Sequence, residues 1–575
     1  MKKILSVAVA LAMVMGCFAG FSVSAAGDFV IEGTKLVKYE GSDADVVIPD
    51  GITEIGEYAF FYCHTLKSVS IPSGVSIIGE RAFYECVFLE TVNISNGVTS
   101  IGNGAFYCCL SLASVDIPSS ITTIGTWAFS VCNSLVEINV DSGNAMFSSV
   151  DGVLFNKDQT TLVRYPEGKT ESIYTIPSSV VNIGERAFIN CNFLETMSIP
   201  EGVKTIGKHA FHICQLLKTV NIAGGVETIG EYAFSSCHEL EFVNIAEGVE
   251  TIGENAFSSC WGLEVVDIPK GVSTIGVGAF GNCIALKTVN IAEGVKTIGD
   301  WAFFGCWELE SVNIAAGTET IGEYAFAHCG LLKTVDIADG VKTIGKAAFL
   351  SCNSLKAIRI PDGVETIEAE TFSDCDYLES VSIPSSVKTI GEGAFYYCLS
   401  LVSIDIPSSV KEIEASAFGM CKSFKSVVIP NGVKTILPNT FYGCSALKTV
   451  RIPNSVTTID TQAFKGCTSL VSLYIPVSVT DFVERQAGVL IFEKTTTLAV
   501  VRGSRAHLWC VSKEQPFVFF ISSFNNALDV FNILDLVVSG KPICAEQVDV
   551  ADLDLDGDVD AADALLALKQ IMGVA

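Results

Sequence analysis

The sequence predicts a parallel β-solenoid joined to a small, acidic α-helical module, and three observations carry this. A 23-residue unit centred on A-F-x-x-C recurs from Phe60 to Cys467. Seventeen of the 21 cysteines fall in a single column of that unit. After Ile521 the repeat stops, and an acidic pattern ending in an apolar helix replaces it. A strict period in this range marks units too small to bury their own apolar face, which must stack on their neighbours.

In chain order, Lys2 and Lys3 precede an apolar run from Ile4 to Phe21, and Ser24, Ala25 and Ala26 follow. That is the anatomy of a secretory signal peptide over residues 1–26, with cleavage expected near Ala25 or Ala26. A lipidated Cys17 fits less well, because Met15 stands just before Gly16 and Cys17 and the apolar run continues past the cysteine. No later stretch is long and apolar enough to span a bilayer. The formal net charge of -28 has the wrong sign for gripping a phosphate backbone, so nucleic acid is not an expected partner.

The repeat reads V-x-I-P-x-G-V-x-x-I-G-x-x-A-F-x-x-C-x-x-L. In Leu66 to Leu89, Val69 and Ile71 alternate with Ser68 and Ser70, the period of a strand with one buried face. Pro72 and Gly74 turn the chain, Val75 and Ile78 return to the core, and Gly79 permits a tight turn. Ala82, Phe83 and Cys86 then read as a short helical turn. Each repeat thus supplies one parallel strand and one helical turn. The cysteine column places one thiol beside the next at every turn, which favours a packed apolar ladder over disulfides.

Residues 27–521 form the solenoid, with residues 28–50 and the stretch after Val479 as its caps. Ala506 to Glu514 reads as a helix within the second cap. Between Phe129 and Phe188 the spacing is 59 residues, one period plus 36. The extra segment, at about 141–175, reads as a β-hairpin on the solenoid's flank, with Val153 to Phe155 and Thr161 to Tyr165 around Asn156, Lys157 and Asp158. It is either a tolerated excursion or a ligand contact.

The repeat resembles the BspA-like leucine-rich repeats of bacterial surface proteins over about Phe29 to Ile521. The resemblance implies a leucine-rich-repeat solenoid that binds or displays rather than catalyses. Members are commonly linked to adhesion, and the repeat does not encode the ligand.

In the tail, Asp552, Asp554, Asp556, Gly557, Asp558, Asp560 and Asp563 form D-x-D-x-D-G-x-x-D-x-x-D, followed by an apolar helix from Ala564 to Met572. Carboxylates at the first, third, fifth, ninth and twelfth places of such a loop can surround a calcium ion, with the backbone carbonyl of Asp558 at the seventh. Asp563 at the twelfth place, the missing entering helix and the C-terminal location resemble a dockerin, an EF-hand-like module of about residues 522–575. The resemblance implies a cohesin domain of a scaffoldin as partner, with Ala561, Ala562 and Lys569 facing it, in a cellulosome-like, polysaccharide-degrading setting. The paired loop, Phe524 to Asp535, keeps Asn526, Asn532 and Asp535 but has lost its first and fifth ligands and its glycine. One calcium site is therefore expected and the second is degenerate.

Other motifs dissolve into the repeat. Gly276, Gly278 and Gly281 spell G-x-G-x-x-G, but Gly276 is the repeat's own I-G glycine and no dinucleotide-binding unit surrounds it. His209 and His212 lack a third metal ligand and read as solvated surface residues. No nucleophile-and-base signature stands out, so catalysis is not expected. Two variable features remain as binding surfaces. One is the outward polar row Asn221, Asn244, Asp267, Asn290, Asn313, Asp336 and Arg359. The other is the aromatic set Trp261, Trp301 and Trp307 with Tyr232 and Tyr324. Trp261 and Trp307 share a column two repeats apart, about 10 Å, a spacing suited to sugar rings. Aromatic packing between turns is the plainer reading. The sequence as a whole reads as a secreted, extracellular binding protein whose tail attaches it to a scaffoldin. The alternative is a cell-surface adhesin whose tail has no cohesin partner.

Overall fold

The computed structural model describes residues 23–484 and 491–519, which fall into two compact units divided after Leu240. Residues 1–22 of the expected signal peptide and the whole acidic module lie outside the described residues. Each unit is a parallel β-solenoid.

The repeat around Phe303 shows how the sequence folds. Thr288–Ile291 is a strand in parallel register with Val265–Ile268 before it and Ser311–Ile314 after it. Val289 and Ile291 point into the core, and Asn290 points out, where its amide donates to Asp267 Oδ1 at 2.7 Å. The polar outward row is thus bonded between these two turns. A second, two-residue strand, Thr297–Ile298, pairs with Thr274–Ile275 and Thr320–Ile321. Each regular repeat therefore has two parallel strands where the sequence suggested one. Gly299 follows the short strand because a Cβ there would lie 2.8 Å from the carbonyl carbon of Gly276 in the turn below.

The expected helical turn is not helical. Ala302, Phe304 and Cys306 donate to carbonyls three residues back, at 3.3, 3.0 and 3.4 Å, as in successive β-turns. Between them Trp301 and Gly305 take left-handed backbone, with φ of 59° and 68°. The N–H groups of Trp301, Phe303 and Gly305 donate instead to Glu323, Ala325 and Ala327 of the next repeat, at 2.8–2.9 Å. Single left-handed residues four apart interrupt a helix, and the hydrogen bonds that a helix would make internally are made between repeats. Among the described residues only Arg505–Lys513 forms an α-helix, capped by Ser504.

The left-handed position two residues before each phenylalanine is glycine in some repeats (Gly393, φ 58°) and a side-chain-bearing residue in most (Ser416, φ 58°). A Cβ in that conformation costs about 1–2 kcal/mol, partly offset by the greater unfolded-chain entropy of glycine. Ser416→Gly is therefore expected to stabilise the second unit by roughly 0.5–1 kcal/mol. Denaturant unfolding checks this, and an unchanged or lowered midpoint contradicts it.

The core is a set of ladders. Phe257 to Phe464 stack with Phe492 in the second unit, Phe280, Phe303 and Phe326 at 5.3 and 5.2 Å with planes within 4°. In the first unit Tyr39 stacks on Phe60, which begins the run to Phe129. In the regular repeats the buried thiol donates to the phenylalanine carbonyl of the preceding repeat, as Cys306 does to Phe280 at 3.3 Å. Every described cysteine is free, and burial pushes the Cys283, Cys352 and Cys421 thiols up to about 12. The column thus works as a packed apolar row with weak donors.

The segment read as a hairpin on the flank is instead threaded into the solenoid. Phe147–Val150, Val153–Asn156 and Thr161–Arg164 form an antiparallel meander, and Thr161–Leu162 continues it in parallel onto Asn182–Ile183. Leu154, Phe155, Leu162 and Tyr165 are buried. Tyr165 stands 23 residues before Phe188 and stacks on it at 5.2 Å. It takes the phenylalanine place of a degenerate repeat, so part of the extra length is a disguised turn of the solenoid. At the N-terminal end, Val23–Ala26, Phe29–Glu32 and Lys35–Tyr39 are antiparallel neighbours, and Lys35–Leu36 pairs with Glu54–Ile55. At the other end Phe517–Phe519 pairs with Thr497–Val500.

Candidate functional site

With the inward columns filled by the ladders, chemistry can only come from the columns that vary. Trp261, Trp301 and Trp307 are 45, 41 and 61 % exposed, all in the second unit. Trp301 occupies the left-handed position, and Tyr324 covers one face of it at 4.3 Å with planes 14° apart. Trp261 and Trp307 lie in the column after the cysteine, with exposed Ile284 between them. Trp261 and Trp307 thus share an exposed column, and Trp301 has a stacking partner of its own. Asp552, Asp554, Asp556, Asp558, Asp560 and Asp563, together with Ala561, Ala562 and Lys569, lie outside the described residues. Among those described, no group of three His, Cys, Asp or Glu side chains is placed to hold a metal ion, and no helix is long and apolar enough to cross a membrane.

The left-handed column of the first unit carries Tyr58, Arg81, Trp127, Arg186, His209 and Tyr232. His209 and His212, expected as solvated, are half-buried. His209 stacks on Tyr232 at 4.9 Å, and His212 Nδ1 lies 2.9 Å from the Ser235 carbonyl. Burial, with Arg186, His212 and Lys208 adding to it against Glu231, lowers His209 to about 4 from the usual 6.5. Because the unfolded chain takes up this proton first, His209 contributes stability above about pH 6.5 that is lost as pH falls towards 4. Gln462 occupies the same column, so His209→Gln preserves the turn. Thermal unfolding of the variant is expected to show a smaller loss between pH 6.5 and 4 than the parent; an equal loss would refute this.

A buried ion pair, with no signature in the sequence, lies where the period breaks. Arg164 and Glu167 have side chains 7 and 1 % exposed and are in direct contact. In a regular repeat the phenylalanine carbonyl accepts a thiol of the next turn, and the N–H before the cysteine donates to that turn's backbone. After Phe129 the following turn is displaced by the meander. Arg164 Nη2 donates to Phe129 O at 3.0 Å in place of a thiol, and Val131 N–H donates to Glu167 Oε1 at 2.9 Å in place of a backbone carbonyl. Arg164 Nη1 also donates to Arg186 O at 2.7 Å. Burial raises the Glu167 carboxyl above its usual range, although Arg164 and the Val131 N–H oppose it.

Beside this pair lies a cavity of about 220 Å³, bordered by Trp127, Phe129, Ser130, Arg164, Glu185 and Arg186 among others. The Arg186 guanidinium lies 4.4 Å over the Trp127 ring and pairs with Glu185. Trp127 is also one wall of a larger surface groove, about 640 Å³, lined by Tyr58, Phe61, Tyr84 and Tyr107. The one signal that could have located this region in the sequence is Tyr165, a full period before Phe188.

The chain matches the BspA type leucine rich repeat region (6 copies) over residues 38–158, 167–287, 250–378 and 365–487. No curated protein matches it. Among solved structures it is similar to a leucine-rich repeat protein from Bacteroides ovatus, at 25 % identity over 84 % of this chain and 98 % of that one, with a TM-score of 0.42. A leucine rich cell surface protein from Faecalibacterium prausnitzii is 32 % identical over 60 % of this chain and 97 % of that one, with a TM-score of 0.40. The pneumococcal vaccine antigen PcpA is 21 % identical over 56 and 82 %, with a TM-score of 0.40. With its repeats matched over most of their length, this chain belongs to the BspA type leucine rich repeat family.

Proposed function

We propose that the protein is an extracellular, non-catalytic binding or adhesion protein whose solenoid presents a protein- or glycan-binding surface. One observation carries this: the inward columns are consumed by packing and the N–H groups of the regular left-handed turns by bonds between repeats, so exposed variable columns, rich in aromatic side chains, are left to meet a ligand. At its C-terminal end, the spacing of Asp552 to Asp563 supports a finer proposal, that residues 522–575 bind one calcium ion and dock to a scaffoldin cohesin. Capture by immobilised cohesins in calcium, lost with chelator and lost in Asp552→Ala, is the expected result. No capture by any cohesin of the source organism overturns docking. That outcome favours a cell-surface adhesin with an unpartnered tail, a reading supported by Phe524 and Leu528 standing where the paired loop needs ligands.

A further inference from the structure

We infer that the cleft at the insertion is a binding site for an acidic, uronate-containing polysaccharide: Arg164, Arg186 and Ser130 receive one sugar carboxylate, and neighbouring rings lie along the aromatic groove beyond Trp127. The inference rests on reading the solenoid as a binding surface and names a place and a ligand class for it.

The first observation is charge. The cavity is bordered by two guanidinium groups and one carboxylate, Glu185, on a chain whose formal net charge is -28. Glu185 is 42 % exposed in its pair with Arg186, while the Arg186 and Arg164 side chains are only 13 and 7 % exposed. Glu167 lies against Arg164 as a second carboxylate, so each guanidinium has a partner, and what the inner cleft offers is guanidinium N–H groups shielded from water, where a charge-assisted hydrogen bond is strong.

The second observation is unmet donors. Ser130 is 2 % exposed and Arg164 6 %, and Ser130 Oγ and Arg164 Nε have no hydrogen-bond partner. The other nitrogens of Arg164 bond Phe129 O, Arg186 O and Glu167, which fixes the guanidinium and leaves Nε–H and one Nη1–H of its five donors. Buried donors without acceptors are costly, and a carboxylate supplies acceptors for both.

Size and surroundings select the carrier. About 220 Å³ is below the roughly 300–1,000 Å³ of sites that enclose a drug-sized ligand, so one sugar unit is the scale. The adjoining groove exposes Tyr58, Phe61 and Trp127 at 36, 45 and 41 %. Tyr84 and Tyr107 also line it and stack on each other at 5.0 Å. Rings with apolar faces and many hydroxyls match such a wall. A peptide strand would need backbone partners, but the groove's backbone N–H groups are already bonded: Tyr58, Tyr62 and Gly104 donate to the Glu80, Tyr84 and Thr126 carbonyls of the next repeats.

Calorimetry on the full chain tests this with an oligogalacturonate, a neutral oligogalactose of equal length, and poly-glutamate. The oligogalacturonate is expected to bind about tenfold or more tightly than either other probe, and more weakly as salt rises. Arg186→Gln, acceptable in this column because Gln462 occupies it, and Ser130→Ala, which removes a hydroxyl without a partner, are each expected to weaken it several-fold, Ser130→Ala at unchanged melting temperature. If Arg186→Gln fails to fold, Ser130→Ala alone decides. Absence of oligogalacturonate binding, equal binding of neutral oligomer or poly-glutamate, or unaltered affinity in the variants would each overturn the proposal. Cohesin capture reads the tail and not this cleft, so either result can fail without the other.

Discussion

Replacing Phe303 by alanine is expected to destabilise the second unit by about 3–5 kcal/mol. The ring is fully buried between Phe280 and Phe326, which contact both of its faces. Its backbone accepts the Cys329 thiol at 3.3 Å and donates to Ala325 O at 2.8 Å, so a turn that collapsed to fill the hole would strain bonds to the next repeat. Collapse is thereby limited and the cavity term stays large. Trp307→Ala, four residues further along the same repeat and 61 % exposed, should cost under about 1 kcal/mol. Denaturant unfolding of the two variants checks the contrast; similar losses would show that the ladder is not the main source of stability.

Glu167→Ala is expected to cost about 3–5 kcal/mol in the first unit, because it strands the buried Arg164 charge and the Val131 N–H together. The paired change Arg164→Met with Glu167→Leu separates two explanations. A buried ion pair replaced by apolar residues is often tolerated at little cost. Here the pair also satisfies Phe129 O, Arg186 O and Val131 N–H, each left unpaired by the double change at roughly 1–3 kcal/mol apiece. The double variant should therefore remain clearly destabilised. Stability near that of the parent would mean that the backbone groups find other partners and that the pair is not the splice between the meander and the solenoid.

The period, the inward columns and the cysteine ladder were legible because they are repeated: Val289, Ile291, Ile298, Ala302, Phe303, Cys306 and Leu309 are all buried at positions that the repeat marks as apolar. The shape of the turn was not legible. Trp301, Tyr324 and Arg186 have no preference for left-handed backbone, and nothing in a run such as D-W-A-F-F-G-C marks its second residue for that conformation. What overrides local preference is the carbonyl row of the adjacent repeat, which is absent from any single repeat read alone.

The amino-acid sequence by itself determined that this protein is a stacked solenoid with a phenylalanine and cysteine core, since a periodic apolar pattern has no other way to leave water. It also carries the acidic loop from Asp552 to Asp563, whose spacing alone supports the calcium reading. Only the tertiary structure decided that the turns are left-handed and not helical, that Tyr165 restores the ladder inside the insertion, and that Arg164 and Glu167 meet. Those features follow from hydrogen bonds and packing between segments 22 to 36 residues apart, where each group's partner is fixed by stacking geometry and not by its neighbours in the chain.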